Sequence, residues 1–197
     1  MSGTETSLDR REVVRRIVAD RGDDLAVITG LGSPAYDLAA AGDHPLDFPL
    51  WGAMGGAAMM GLGLALARPD LRVLVLTGDG EQLMGLGALA TIGAQRPANL
   101  SIAVLDNGLF GETGGQASHT ALGTDLAAVA RACGFAWARE VRDEAALEEA
   151  IPLLRCGDGP GLAAIRVAAG ELPRVLPGRD GVAAKIRFRR ALGLEPM

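Results

Sequence analysis

Short apolar runs alternate along this chain with stretches of helical periodicity, and that alternation constrains the fold more than any other feature. The runs are "LAVITG" (25–30), "RVLVLT" (72–77), "LSIAVLD" (100–106), "AWAREV" (136–141) and "LAAIRVA" (162–168). Near-continuous Val, Ile and Leu marks strands covered on both faces, and the helices between them mark parallel crossovers. Helices are expected near 8–20, 53–67, 82–95, 124–134, 143–155 and 180–192. The reading is a single three-layer α/β domain over 1–197 with a mostly parallel sheet. Its core spans about 22–170, and a breaker-rich tail and last helix occupy 171–197. A length of 197 residues suits one sizeable core and is short for two. Aromatic residues make up only 4%, so Ala, Val, Leu, Ile and Met must fill that core.

The same sequence narrows the function classes. A net charge of -5 leaves no basic patch for nucleic acid. The cluster "KIRFRR" (185–190) reads as a solvated or subunit-facing helix end. Two cysteines, Cys133 and Cys156, without a C-x-x-C or a His/Cys cluster, argue against disulfide, zinc or iron–sulfur scaffolds and suit a reducing cytoplasm. The polar N-terminus is not a secretory signal. "LWGAMGGAAMMGLGLALA" (50–67) carries no charge and reaches the length of a membrane span, but its five glycines and the "RPD" that follows favour a buried small-residue helix.

Two glycine-bracketed polar turns carry the chemistry. Gly78-Asp79-Gly80 follows the run ending at Thr77, and Asn107-Gly108 follows the run ending at Asp106. In a parallel sheet all strand C-termini lie along one edge, where ligands bind. Neighbouring strands would therefore bring Asp79 and Asn107 together, with the residues between them serving as the crossover. A carboxylate, a side-chain amide and a backbone carbonyl just past Asn107 offer hard oxygens to Mg²⁺. A helix entered at Glu81 offers N–H groups to a phosphate, and the flanking glycines let an anion approach. The chain supplies its own control, because "GDG" recurs at 157–159, followed by Pro160 and a strand. The first copy has Asn107 at 107 − 79 = 28 positions on, whereas the same offset from Asp158 falls on Ile186. The plainer alternative makes Asp79 a helix N-cap and Asn107 a turn residue.

From Trp51 to about Thr120 the chain resembles the cofactor-binding (PP) domain of thiamine-diphosphate enzymes. The resemblance rests on G-D-G followed after 25–30 residues by Asn, on "GDGEQLMGLGALATI", and on Asp106-Asn107 where the family has Asn-Asn. Gly85 stands where the family commonly has Asn. Within that family "GAMGGAAMMGLGLAL" and "TGGQ" (113–116) are most similar to the β subunits of sulfopyruvate and phosphonopyruvate decarboxylases. The resemblance implies that Asp79, Asn107 and the Leu109 carbonyl ligate Mg²⁺. It implies that Gly78, Gly80 and Glu81 receive the diphosphate and that Phe110 and Gly111 line the cofactor site. The Gly52 carbonyl would accept from the cofactor's amino group, and Met54, otherwise a core methionine, would wedge under its bend.

The loop "FGETGGQASHT" (110–120) would lie over the reacting carbon, with Thr113, Gln116, Ser118 and His119 as candidate polar contacts. His119 suits proton transfer or anion binding, or is a bystander on an exposed loop. Glu112 sits poorly with an anionic substrate tail, and His44 reads as structural.

The family's second half, a PYR domain with a catalytic Glu, has no counterpart here, since the segment before Leu50 holds only one strand–helix unit. The resemblance therefore implies a β subunit in a hetero-oligomer, inert without an α subunit that carries the PYR domain. Its reaction would be decarboxylation of a small 2-oxo acid to CO₂ and an aldehyde, with no nucleic acid and no membrane involved. Carboligation, an oxidoreductase subunit, and a non-catalytic nucleotide-binding or scaffold domain are the alternatives. For nucleotide binding, "TGLGSPAYD" offers only a partial G-x-G-x-x-G match.

Overall fold

A computed structural model describes residues 7–195. Its main sheet has six parallel strands: β1 (Leu25–Thr29), β2 (Asp47–Pro49), β3 (Arg72–Gly78), β4 (Leu100–Asp106), β7 (Trp137–Val141) and β8 (Gly161–Arg166). Their order is β2-β1-β3-β4-β8-β7, with every neighbouring pair parallel. A small antiparallel pair, β5 (Leu109–Phe110) and β6 (Gln116–Ala117), stands apart.

Strand alternation splits the core into two halves. Val73 and Val75 face one side with Ile102, Val104 and Leu162, covered by α3 (Ala57–Ala67), α5 (Ala88–Gln95) and α6 (Leu126–Ala132). Leu74, Leu76, Ala103 and Ile165 face the other side, covered by α1 (Arg10–Val18), α2 (Ser33–Ala41) and α7 (Glu144–Cys156). This is the three-layer α/β fold that continuous apolar strands require.

The chain before Leu50 holds more than one strand–helix unit, because α2 and β2 are added to α1 and β1. Pro34 in the first turn of α2 and Gly42 at its end are ordinary helix punctuation. Strand β2 is three residues long and ends on Pro49, which an edge strand tolerates. The helix expected over 82–95 is two helices, α4 (Asp79–Met84) and α5. The break falls at Gly85, whose backbone lies so close to Gly55 that a Cβ there would sit 2.2 Å from the Gly55 carbonyl oxygen.

The tail 171–180 runs back past Trp51, whose Nε1 donates to the Gly178 carbonyl at 3.0 Å, and leads into α8 (Gly181–Ala191). Phe188 of α8 packs edge-on against Phe48, and Arg187 donates to the Asp47 carbonyl, so α8 docks on the β2 edge. That explains part of the basic cluster. Among the described residues no helix is long and apolar enough to cross a membrane; the uncharged stretch 50–67 yields the eleven-residue α3.

Candidate functional site

Strands β3 and β4 are direct neighbours, with Gly78 opposite Leu105. Asp79 opens α4 and Asn107 leaves β4, so both lie at the carboxyl edge and line one cleft. Eight more predicted positions meet on that lining: Met54, Gly78, Gly80, Glu81, Leu109, Phe110, Gly111 and Thr113. Gly52 is adjacent in sequence but outside the lining, and Gln116 and His119 are exposed and outside it as well. Gln116 Oε1 accepts from Thr113 Oγ1 at 3.1 Å, and His119 stacks edge-on against Phe110 at 5.7 Å.

Asp79 is 2% exposed. Ser118 Oγ donates to its Oδ2, and Thr120 Oγ1 lies 3.2 Å from the same oxygen. Burial pushes this carboxyl above the usual range; the Ser118 hydrogen bond opposes that shift and the Asp106 carboxylate adds to it. A buried acid beside a second acid, with side-chain donors on one oxygen only, fits a divalent cation, which would relieve both penalties. Asn107 fits too. Its Oδ1 accepts from the Leu109 N–H at 3.0 Å, which leaves a lone pair free for a metal. One carboxylate plus neutral oxygens suits Mg²⁺ completed by phosphate and water.

Ser118 is a correction to the loop reading. Its side chain is fully buried on Asp79 and does not face a substrate. Thr120 bridges Asp79 to Asp106, donating to Asp106 Oδ1 at 2.7 Å. Asp106 is held further by the Gly108 N–H and by Arg166 at 2.7 Å. This lattice was out of reach of a linear reading, although Ser118-x-Thr120 directly after a glycine loop was its visible trace.

Glu81 belongs to the scaffold by its side chain. Its Oε2 accepts from Thr77 Oγ1 at 3.1 Å and its Oε1 from the Ala57 N–H at 3.4 Å, tying β3 to the start of α3. Burial raises its pKa, and these hydrogen bonds pull the other way. A Cβ on Gly30 would fall 1.4 Å from Glu81 Oε2, so the β1 turn is glycine to make room for it. Only the backbone N–H of Glu81 is left for a ligand.

Met54 sits in a tight turn. Ala53 has φ 53°, Gly55 has φ 89°, and the Gly56 N–H donates to the Ala53 carbonyl at 2.8 Å. A left-handed alanine is a strained choice, and it presents the methionine to the cleft. Gly80 is pinned from the other side, since a Cβ there would meet Phe110 Cδ1 at 2.9 Å.

The fold and this edge site define a class, and sequence comparison gives it a name. Residues 32–167 match the family described as "Thiamine pyrophosphate enzyme, C-terminal TPP binding domain", and the chain belongs to that family. Among curated relatives, the sulfopyruvate decarboxylase subunit beta of Methanothermobacter thermautotrophicus is 42% identical over 164 residues, 83% of this chain and 84% of that subunit. The phosphonopyruvate decarboxylase of Streptomyces viridochromogenes is 39% identical over 173 residues, 85% of this chain but only 43% of that protein. The chain thus spans less than half the length of that relative. A solved Mycobacterium smegmatis structure assigned to the thiamin diphosphate-dependent enzymes superposes with TM-score 0.72 at 22% identity, covering 84% of this chain and 32% of that one. That last likeness is one of fold.

Proposed function

We propose that the chain is the cofactor-binding β-type subunit of a two-subunit, Mg²⁺-dependent 2-oxo acid decarboxylase of the sulfopyruvate or phosphonopyruvate type, releasing CO₂ and an aldehyde. One observation carries the reading: Met54, Asp79, Gly80, Asn107 and Leu109 line a single cleft, in a chain 42% identical to a sulfopyruvate decarboxylase subunit beta over 84% of that subunit.

In this reading Asp79, the Asn107 amide oxygen and the Leu109 carbonyl hold Mg²⁺. The N–H groups of Gly80 and Glu81 bind the diphosphate, with Gly78 and Gly111 allowing close approach. The Gly52 carbonyl orients the aminopyrimidine, Met54 supports the bend of the cofactor, and Phe110 walls the cleft. Thiamine diphosphate, when bound, would supply a positively charged thiazolium ring able to take up the electrons left as CO₂ departs. Thr113 stands at the cleft, and Gln116 and His119 lie beside it on a segment able to contribute polar contacts to substrate. An α subunit provides the PYR domain and its Glu. The support for a partner on α3 is that Met59 and Leu66 leave apolar surface exposed at 41% and 51% on a Gly/Ala-rich helix.

The test is affinity purification of the tagged chain from its host in Mg²⁺, with mass spectrometry of bound polypeptides and small molecules. A second chain together with thiamine diphosphate, the cofactor being lost in Asp79→Ala, is the expected result. A lone homo-oligomer without the cofactor overturns the reading.

A further inference from the structure

The cleft crosses the carboxyl edge of the sheet from one helical layer to the other. Met54 approaches it from the segment that enters α3, and Arg10 lines it from the first turn of α1, on the opposite face. Arg10 takes no part in the roles assigned so far, and its setting is unusual. It is 8% exposed, and its Nε donates to Asp37, a fully buried carboxylate in α2. Arg11 Nε donates to the other Asp37 oxygen at 3.2 Å, while its Nη2 is taken by the Pro173 carbonyl at 2.7 Å. Two guanidinium groups thus face one carboxylate, and one positive charge is left over. Among the described residues the recorded hydrogen bonds of Arg10 all run through Nε, so its terminal nitrogens have no protein acceptor. Glu112 also lines the cleft but makes no ion pair with Arg10.

A buried arginine with a fixed Nε and an unfilled fork is a built anion site. Its placement in the first turn of a helix, where the dipole disfavours positive charge, is understandable if it serves the cleft. Ser33, Asp79 and Asn107 line the same cleft as Arg10.

We propose that Arg10 is the anchor for the terminal phosphate of the diphosphate, held in place by Asp37. This rests on the cofactor reading above and adds to it a contact from α1, outside the glycine turns. Arg10 binds and orients, and the cation remains with Asp79 and Asn107.

The experiment compares the full chain, as it purifies from its host, with Arg10→Lys and Arg10→Gln. Calorimetry with Mg²⁺ uses thiamine diphosphate, thiamine monophosphate and inorganic pyrophosphate as probes. Lysine keeps a cation for Asp37, and hence the fold, but cannot bridge to a phosphate through a fork. Thermal melting checks each variant, and Arg11→Gln controls for the loss of an Asp37 partner. The expected result is a loss of about 10- to 100-fold for the diphosphate and pyrophosphate in both Arg10 variants, with the monophosphate unchanged. Diphosphate binding at the wild-type level in Arg10→Lys, or equal losses for mono- and diphosphate, overturns the role of Arg10 while leaving the cofactor reading in place. A wild-type chain that binds neither diphosphate nor pyrophosphate overturns both, and that failure shows in the parent protein before any variant.

Discussion

The tripeptide Gly-Asp-Gly occurs twice in this protein, at 78–80 and at 157–159, and the two copies do opposite jobs. The first leaves the carboxyl end of β3, with Asp79 buried and α4 directly after it. The second follows α7 and enters β8 from its amino end, on the far edge of the sheet, with Asp158 exposed. Gly159 is packed there against backbone, since a Cβ would meet the Leu100 carbonyl oxygen at 2.3 Å and the Pro97 carbonyl oxygen at 3.0 Å. A three-residue motif has no function of its own. Which end of a strand it occupies decides whether it serves a ligand or a turn.

That contrast can be broken by experiment. The largest effect is expected from Asp79→Ala against Asp158→Ala, read by calorimetry of thiamine diphosphate with Mg²⁺. Outer-shell partners of metal ligands alone are worth about 10- to 100-fold, so losing Asp79 is expected to exceed that range while Asp158→Ala leaves affinity unchanged. Equal losses would mean the two copies are not distinguished by position.

The glycines are expected to reverse the ranking. Gly159→Ala forces a methyl against two carbonyls that cannot swing away and is expected to destabilise the chain by about 3 kcal/mol in denaturant melts. Gly80→Ala meets only the Phe110 ring, a side chain able to turn, so it is expected to lower stability less and cofactor affinity more.

Next is Ser118→Ala, which removes one of the donors on Asp79. A loss of about 1–2 kcal/mol in stability or cation binding is expected, with no counterpart around Asp158.

The smallest effect is pH-dependent. The carboxyl of Asp79 titrates above its unfolded range, so the ionised form carries a penalty in the unliganded fold. Stability of the unliganded chain should therefore rise as pH falls through the folded pKa, levelling off below the unfolded one. Mg²⁺ affinity should fall across that window, because the cation needs the carboxylate. Asp79→Asn is expected to remove its share of the stability trend. Glu81 and Asp47, shifted the same way by burial, keep theirs.

Much of this architecture was legible in the chain. The runs at 72–77 and 100–106 are uninterrupted because both faces are covered, and that pattern marked both as strands bearing polar turns at one edge, while their pairing as neighbours came from the structure. Strand β2 escaped because three residues ending in proline carry no periodicity, and α2 because its nine residues were absorbed into a glycine-turn reading. The break at Gly85 escaped because its cause, the Gly55 backbone, lies 30 residues upstream (85 − 55). Asp79 and Asn107 were recoverable from spacing and the rest of the predicted lining from the family resemblance, but the side chains that hold it were not. Ser118, Thr120, Asp106 and Arg166 converge only through tertiary packing, and Arg10 reaches the edge only because α1 runs antiparallel to the strands it covers.

The docked tail gives the molecule an optical reporter. Trp51, next to Gly52 and three residues before Met54, is held by the Gly178 carbonyl and covered by the Arg179 guanidinium at 5.7 Å. The chain's other indole, Trp137, lies on the outermost strand with its ring against Gly161, away from the cleft. In a Trp137→Phe background the emission of Trp51 alone would follow the tail as it loosens from, or settles on, the segment that carries Met54. A shift of the tail then becomes an emission change that can be timed in a stopped-flow cell, with no label and no turnover assay.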